Sequence, residues 1–145
     1  RSVFDIFYLG RRDRRRVLNL VRADVLSILE TSTALRQEEF FVALKNIDKV
    51  GVDFVDKLFI TASVRAKDTD TKLIDQMSDL LVRLDPALQQ EIVSVYRLLI
   101  TCRLLSERVF TCYEQERYED AVSVVCHLTP LILRLKKNAK KMLRV

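Results

Sequence analysis

The sequence predicts an all-α fold: an elongated antiparallel bundle of about five helices, two of them about 30 residues long. Three observations carry this expectation. Apolar residues recur at three- and four-residue intervals along most of the chain, the period of a helix with one buried face. Only 2 Gly and 2 Pro are available for turns, which argues against sandwiches, barrels and doubly wound sheets. The 49% hydrophobic and 31% charged composition is that of a globular helical chain rather than a disordered or fibrous one. A domain of 145 residues can bury roughly 68–70% of its unfolded surface, so a core can form without disulfides or metals.

The first helix is expected from about Asp13 to Thr31, with Val17, Val21, Val25, Leu26, Ile28 and Leu29 inward, stopping at Thr31-Ser32-Thr33. Phe40, Phe41, Leu44, Ile47, Phe54, Val55, Leu58 and Phe59 then keep the same period to about Ala66, predicting one long second helix. Gly51 falls on the apolar face of that pattern. It is read as a point of close helix packing, where Gly51→Leu would overpack at a cost of about 1–3 kcal/mol. Asp68-Thr69-Asp70-Thr71 supplies capping side chains, and Leu73, Ile74, Met77, Leu80, Leu81 and Leu84 mark a shorter third helix.

Asp85-Pro86 starts the fourth, with Asp as N-cap and Pro at the first helical position, where its missing amide hydrogen costs nothing. From there Leu88, Ile92, Val95, Leu99, Cys102, Val109 and Tyr113 trace one face. The last helix is predicted from about Tyr118 to the end, with Val122, Val125, Ile132, Leu135, Ala139 and Met142 inward and a kink at Pro130. Residues Ser2 to Leu9 are apolar and aromatic before Gly10 and read as a short helix or a strap across the bundle.

Gln115-Glu116-Arg117-Tyr118-Glu119-Asp120-Ala121 resembles the helix-opening pattern of tetratricopeptide-type helical hairpins over seven residues, without the 34-residue repeat. In architecture the long helices resemble the helical rods of cytoskeletal adaptors and vesicle tethers. The chain is read as a single domain over residues 1–145. Because it opens on Arg1 rather than Met, it is expected to be cut from a longer protein. Cys102, Cys112 and Cys126 lack any C-x-x-C spacing and lie in apolar stretches, so they are expected to be buried reduced thiols of a cytoplasmic protein.

Little in the sequence carries chemistry. His127 is the only histidine, and the Glu-x-x-His pairs of a di-iron bundle are missing. Cys126 and His127 are neighbours pointing about 100° apart on a helix, which is wrong for a nucleophile and its base. Gly10 and Gly51 stand alone and form no phosphate loop, and no calcium loop surrounds Asp53, Asp56, Asp68 or Asp70. No catalytic residue, metal or cofactor is expected, and no small-molecule substrate.

Charge is the uneven feature. Residues 1–16 carry +4 and residues 131–145 carry +6, which leaves −5 for residues 17–130 against the formal net of +5. Arg134, Lys137, Lys141 and Arg144 share one face of the last helix with Lys136 and Lys140 beside them, opposite Ile132, Leu135, Ala139 and Met142. Three roles compete for this basic stripe: complementing the helix dipole, binding an acidic protein or anionic membrane, or binding nucleic acid with help from Arg11, Arg12, Arg14, Arg15 and Arg16. Nucleic acid ranks last, since no aromatic residue lies within the basic helix. Five strictly alternating helices would hold the two basic ends apart. The expected function is therefore a non-enzymatic protein-interaction or scaffolding domain of a larger intracellular protein, offering a groove to a helical or acidic partner. The alternative is a binder of nucleic acid or anionic membrane surfaces through the basic ends.

Overall fold

The computed structural model describes residues 11–31, 37–65 and 84–144, without the side chains of 28–31, 63–65 and 144. Every regular element among them is a helix. In chain order these are α1 (Arg11–Thr31), α2 (Glu38–Lys45), α3 (Ile47–Val50), α4 (Val52–Arg65), α5 (Pro86–Glu114) and α6 (Tyr118–Arg144). The expected strap over 2–9, the caps at 68–71 and most of the third helix lie outside the described residues, and of that helix only Leu84 is seen, buried.

The two longest helices, α5 with 29 residues and α6 with 27, pack against each other more extensively than any other pair. Their apolar stripes supply most of the core: Ile92, Val95, Leu99, Cys102 and Val109 from α5, and Ala121, Val125, Leu128, Leu135 and Ala139 from α6, all almost completely buried. Burying one Leu, Ile or Val side chain is worth about 1.5–3 kcal/mol, so this seam dominates the stability of the described fold. The helix continues through Pro130, and the neighbouring Thr129 hydroxyl donates to the Val125 carbonyl at 2.9 Å.

A tight reversal joins the pair. Arg117 N–H donates to the Cys112 carbonyl at 2.9 Å and Glu116 N–H to that of Tyr113 at 3.0 Å, the paired bonds of a Schellman ending. Its left-handed position is held by Glu116, φ 60°, where glycine is the usual residue. The tetratricopeptide-like segment is this reversal and the first turn of α6, with Arg117 on Asp120 at 2.7 Å and Ala121 fully buried.

The remaining helices lie on this pair. α1 packs on α6 through Val17, Val21 and Val25, while α2 contacts α4 and α6. Near the reversal an aromatic cluster joins them: Phe40 stacks on Phe110 at 5.6 Å between ring centres, and Phe59 meets Tyr113 at 4.7 Å, with Tyr118 beyond it. Polar ties add direction to these contacts. The Tyr96 hydroxyl donates to Asp24 of α1, the Tyr113 hydroxyl to Asp56 of α4, and Lys136 to Glu38 of α2. Burial and then the adjacent carboxylate raise the pKa of both phenols, since a tyrosinate there would be poorly hydrated and repelled.

Four expectations are corrected. The long second helix is broken into α2, α3 and α4, and the break after α3 is Gly51, with φ 85° and ψ 153°. A Cβ there would meet nothing within 4 Å, so Gly51 provides a backbone conformation rather than close packing. Leu26 and Phe54, both expected inward, are exposed at 46% and 51%. Asp85 opens α5 through its carbonyl, which accepts from Gln89 N–H at 3.0 Å, but its side chain makes no cap bond.

Two outcomes follow. Gly51→Ala and Gly51→Leu should each destabilise by about 1–3 kcal/mol and to a similar extent, because the cost lies in the backbone; chemical denaturation showing Leu far worse than Ala would restore the packing explanation. The folded chain also holds the Tyr96 and Tyr113 protons more tightly than the unfolded chain, whose tyrosines titrate near 10. The stability they contribute is complete below about pH 10 and falls as pH rises beyond it. A urea midpoint measured across that range should decline, and Tyr96→Phe should flatten the decline.

Candidate functional site

The residues expected to bind an acidic partner fall on two helix ends. Arg11, Arg12, Arg14, Arg15 and Arg16 occupy the first six positions of α1, and all are exposed. Arg134, Lys137, Lys140 and Lys141 are exposed on α6, and Arg144 is its last residue. The opposite face of α6 is buried as expected, with Ile132 and Met142 at 3% and 5% exposure. These two runs are not held apart. Arg14 meets Asp85 at the start of α5 at 3.3 Å, and Asp24, ten positions later, meets Tyr96, so α1 runs in the same direction as α5. Ala87 and Glu91 from the beginning of α5 share a cleft with Lys141 and Met142 from the end of α6. The start of α1, the start of α5 and the end of α6 therefore lie at one pole. Strict alternation of the five expected helices fails, because the fourth of them, here α5, runs parallel to the first.

The stripe is also less uniform than the sequence implies. Lys136 is half-buried and tied to Glu38 of α2, so it holds two helices together. By contrast, Arg134, Lys137, Lys140 and Lys141 pair with no acidic side chain among the described residues. Arg134 borders a polar cleft of about 720 Å³ along α5, with Gln90, Arg97 and Thr101 on its other wall.

A second surface was not localised by sequence. Val42 of α2, Val50 of α3 and Phe54 of α4 are 59%, 42% and 51% exposed. With Ala43 and Leu58 they line an apolar groove of about 610 Å³, rimmed by Glu38, Glu39, Asn46 and Lys49. The break at Gly51 makes it: α2 and α4 fold over from a single apolar pattern, leaving the outer part of that pattern uncovered. The only sequence signal was an apolar face too wide for one buried stripe.

Cys102 is fully buried and burial pushes its thiol pKa up to about 11, which keeps it protonated and unreactive at neutral pH. Cys112 is buried as well, but Cys126 is exposed beside the exposed His127, a correction to the expectation of three buried thiols. Among the described residues no group of three His, Cys, Asp or Glu side chains could hold a metal, and no helix is long and apolar enough to cross a membrane. Comparison with family models, curated proteins and solved structures gives no match.

Because Asp85 is engaged by Arg14 rather than by the helix amides, the two residues should be weakly coupled. Both side chains are about half exposed, at 48% and 44%, so a double-mutant cycle of Arg14→Ala and Asp85→Ala should give a coupling energy of about 0.2–1 kcal/mol. Zero coupling, with the full loss expected of an N-cap in Asp85→Ala alone, would return Asp85 to the capping role.

Proposed function

We propose that this chain is a non-enzymatic interaction or scaffolding domain, an elongated bundle whose long helices α5 and α6 form an antiparallel backbone for a peptide-binding groove. The observation that carries this reading is the exposed apolar patch of Val42, Val50 and Phe54, which three successive helices bring to one groove. Exposed apolar side chains scattered singly need no explanation, but three that line one groove with polar residues at its edge fit an interaction site. Its shape suits an amphipathic partner helix, which would insert apolar residues spaced at i, i+3 and i+7 between α2 and α4. Glu38 and Glu39 on one side and Lys49 on the other give the rim charges of both signs, which would set the register of that helix rather than its affinity.

The floor of the groove is fixed. Ala43 and the neighbouring Leu44 are buried, and Phe40 and Phe59 lock α2 and α4 onto the aromatic cluster. Such a site loses little entropy on binding, which favours a stable contact over a transient one. The reading includes a reducing, cytoplasmic setting, supported by the free thiols of Cys102 and Cys112 in the core.

Phe54→Glu and Val42→Glu both place a charge in the groove at half-exposed positions, so the fold should tolerate them. Helical peptides selected from a display library against the domain should lose at least tenfold in affinity for either variant, with circular dichroism unchanged. Peptides that bind both variants as they bind the wild type would place the interaction elsewhere and remove the groove from the function.

A further inference from the structure

Along the seam of α5 and α6 two clefts of about 720 and 390 Å³ open side by side, and Gln90 and Ser94 line both. They form one trough. On α5 it runs from Pro86 to Thr101, about 22 Å at 1.5 Å per residue, and Arg134, Asn138 and Lys141 of α6 face it. The charge in it is one-sided. Arg97 and Arg134 approach the first cleft from opposite helices and Lys141 lines the second, none with an acidic partner among the described residues, while Glu91 is the only acid in either lining.

The fold gives no reason for this arrangement. Facing positions of two packed helices are stabilised by opposite charges, as Lys136 and Glu38 show elsewhere on α6, whereas Arg97 facing Arg134 is repulsive. Nor does the helix dipole explain it. Its pull on cations is confined to the last turn, and Arg134 lies nearly three turns before the end of α6 while Arg97 is in the interior of α5. A bound polyanion would remove the repulsion.

The other side chains in the trough indicate which polyanion. Gln90, Ser94, Thr101 and Asn138 are uncharged hydrogen-bonding groups, and such groups, beside Arg and Lys, are the usual contacts to phosphate and sugar oxygens. Among the described residues, none of the large exposed apolar side chains lines either cleft, so the trough has nothing to insert into a bilayer and no stripe on which to bury the apolar face of an acidic helix. No aromatic side chain lines it either, so unpaired bases would find no stacking platform. A duplex keeps its bases stacked and presents only its backbone. We propose that the trough between α5 and α6 binds the phosphodiester backbone of a nucleic-acid duplex without regard to sequence, Arg97, Arg134 and Lys141 engaging phosphates and the amides and hydroxyls between them completing the contact.

The test is fluorescence anisotropy of the full chain with labelled duplexes of two unrelated sequences, each as DNA and as RNA, between about 50 and 200 mM salt. Both sequences should bind equally, and the comparison of DNA with RNA assigns the source of the backbone. The variant Arg97→Gln/Arg134→Gln/Lys141→Gln should lose roughly tenfold in affinity per cation at the lowest salt, and the slope of log affinity against log salt should shrink by about 0.9 for each. Ser94→Ala/Asn138→Ala should weaken binding severalfold with the slope unchanged, which a general loss of positive charge would not produce. All five substitutions suit a helix, so circular dichroism and melting temperature should stay at wild-type values. Absence of duplex binding at the lowest salt would overturn the proposal, as would wild-type affinity and slope in the triple variant. Tighter binding of single strands, or displacement of the duplex by polyglutamate or by phosphatidylserine vesicles at equal charge, would equally overturn it.

Discussion

The seam between α5 and α6 is the constraint on which the rest of the structure depends. Each helix is long enough to carry an apolar stripe over seven or more turns, and the reversal between them takes only Gln115, Glu116 and Arg117. So short a link fixes the register, because a shift of one residue would rotate every buried side chain of α6 by about 100°. The left-handed backbone of Glu116 is a local cost, about 1–2 kcal/mol for a residue with a Cβ. The buried stripe beyond it, from Ala121 to Met142, outweighs that cost many times. Local preference yields because tertiary burial is larger.

Once that pair is formed, the shorter helices have a surface to adopt. None of α2, α3 or α4 exceeds 14 residues, near or below the length at which isolated helices hold in water. Their attachment is partly apolar, through Phe40, Phe59 and Val55, and partly through directed hydrogen bonds. Tyr96 on Asp24 and Tyr113 on Asp56 repeat one chemistry at two heights of α5, each setting the angle at which a neighbouring helix lies. Gln37 is an exception, buried at 2% exposure with neither amide atom bonded, and nothing in the structure explains it.

What the sequence revealed divides along physical lines. Asp85-Pro86 marked the start of α5 because proline restricts the backbone wherever it occurs, and the inward faces of α5 and α6 were legible because long helices average out single deviations. The role of Asp85 was not legible, since a distant residue, Arg14, competes for its carboxylate. Gly51 was misread for a related reason: periodicity continued on both sides of it, and only the backbone angle distinguishes a break from a close approach. Phe54 shows the same limit for the candidate groove. Its spacing is that of a core residue, and exposure depends on whether another helix covers it. Lys136 looked like part of a free stripe until Glu38, 98 positions away, proved to face it.

The meeting of the two basic ends was beyond sequence for a topological reason, and its consequence is functional. Alternation is the default for short links, but the order of α1 relative to α5 is set by where α1 finds an apolar surface, which lies along α6. That choice places the cations at one pole while the aromatic cluster, with Phe110, Tyr113 and Tyr118, lies near the reversal at the other. The 29 residues of α5 between them span about 44 Å at the helical rise. The groove is not remote from the basic stripe, because Glu38 of its lining is the partner of Lys136 on α6, so a charge bound there would be felt by the neighbouring lysines.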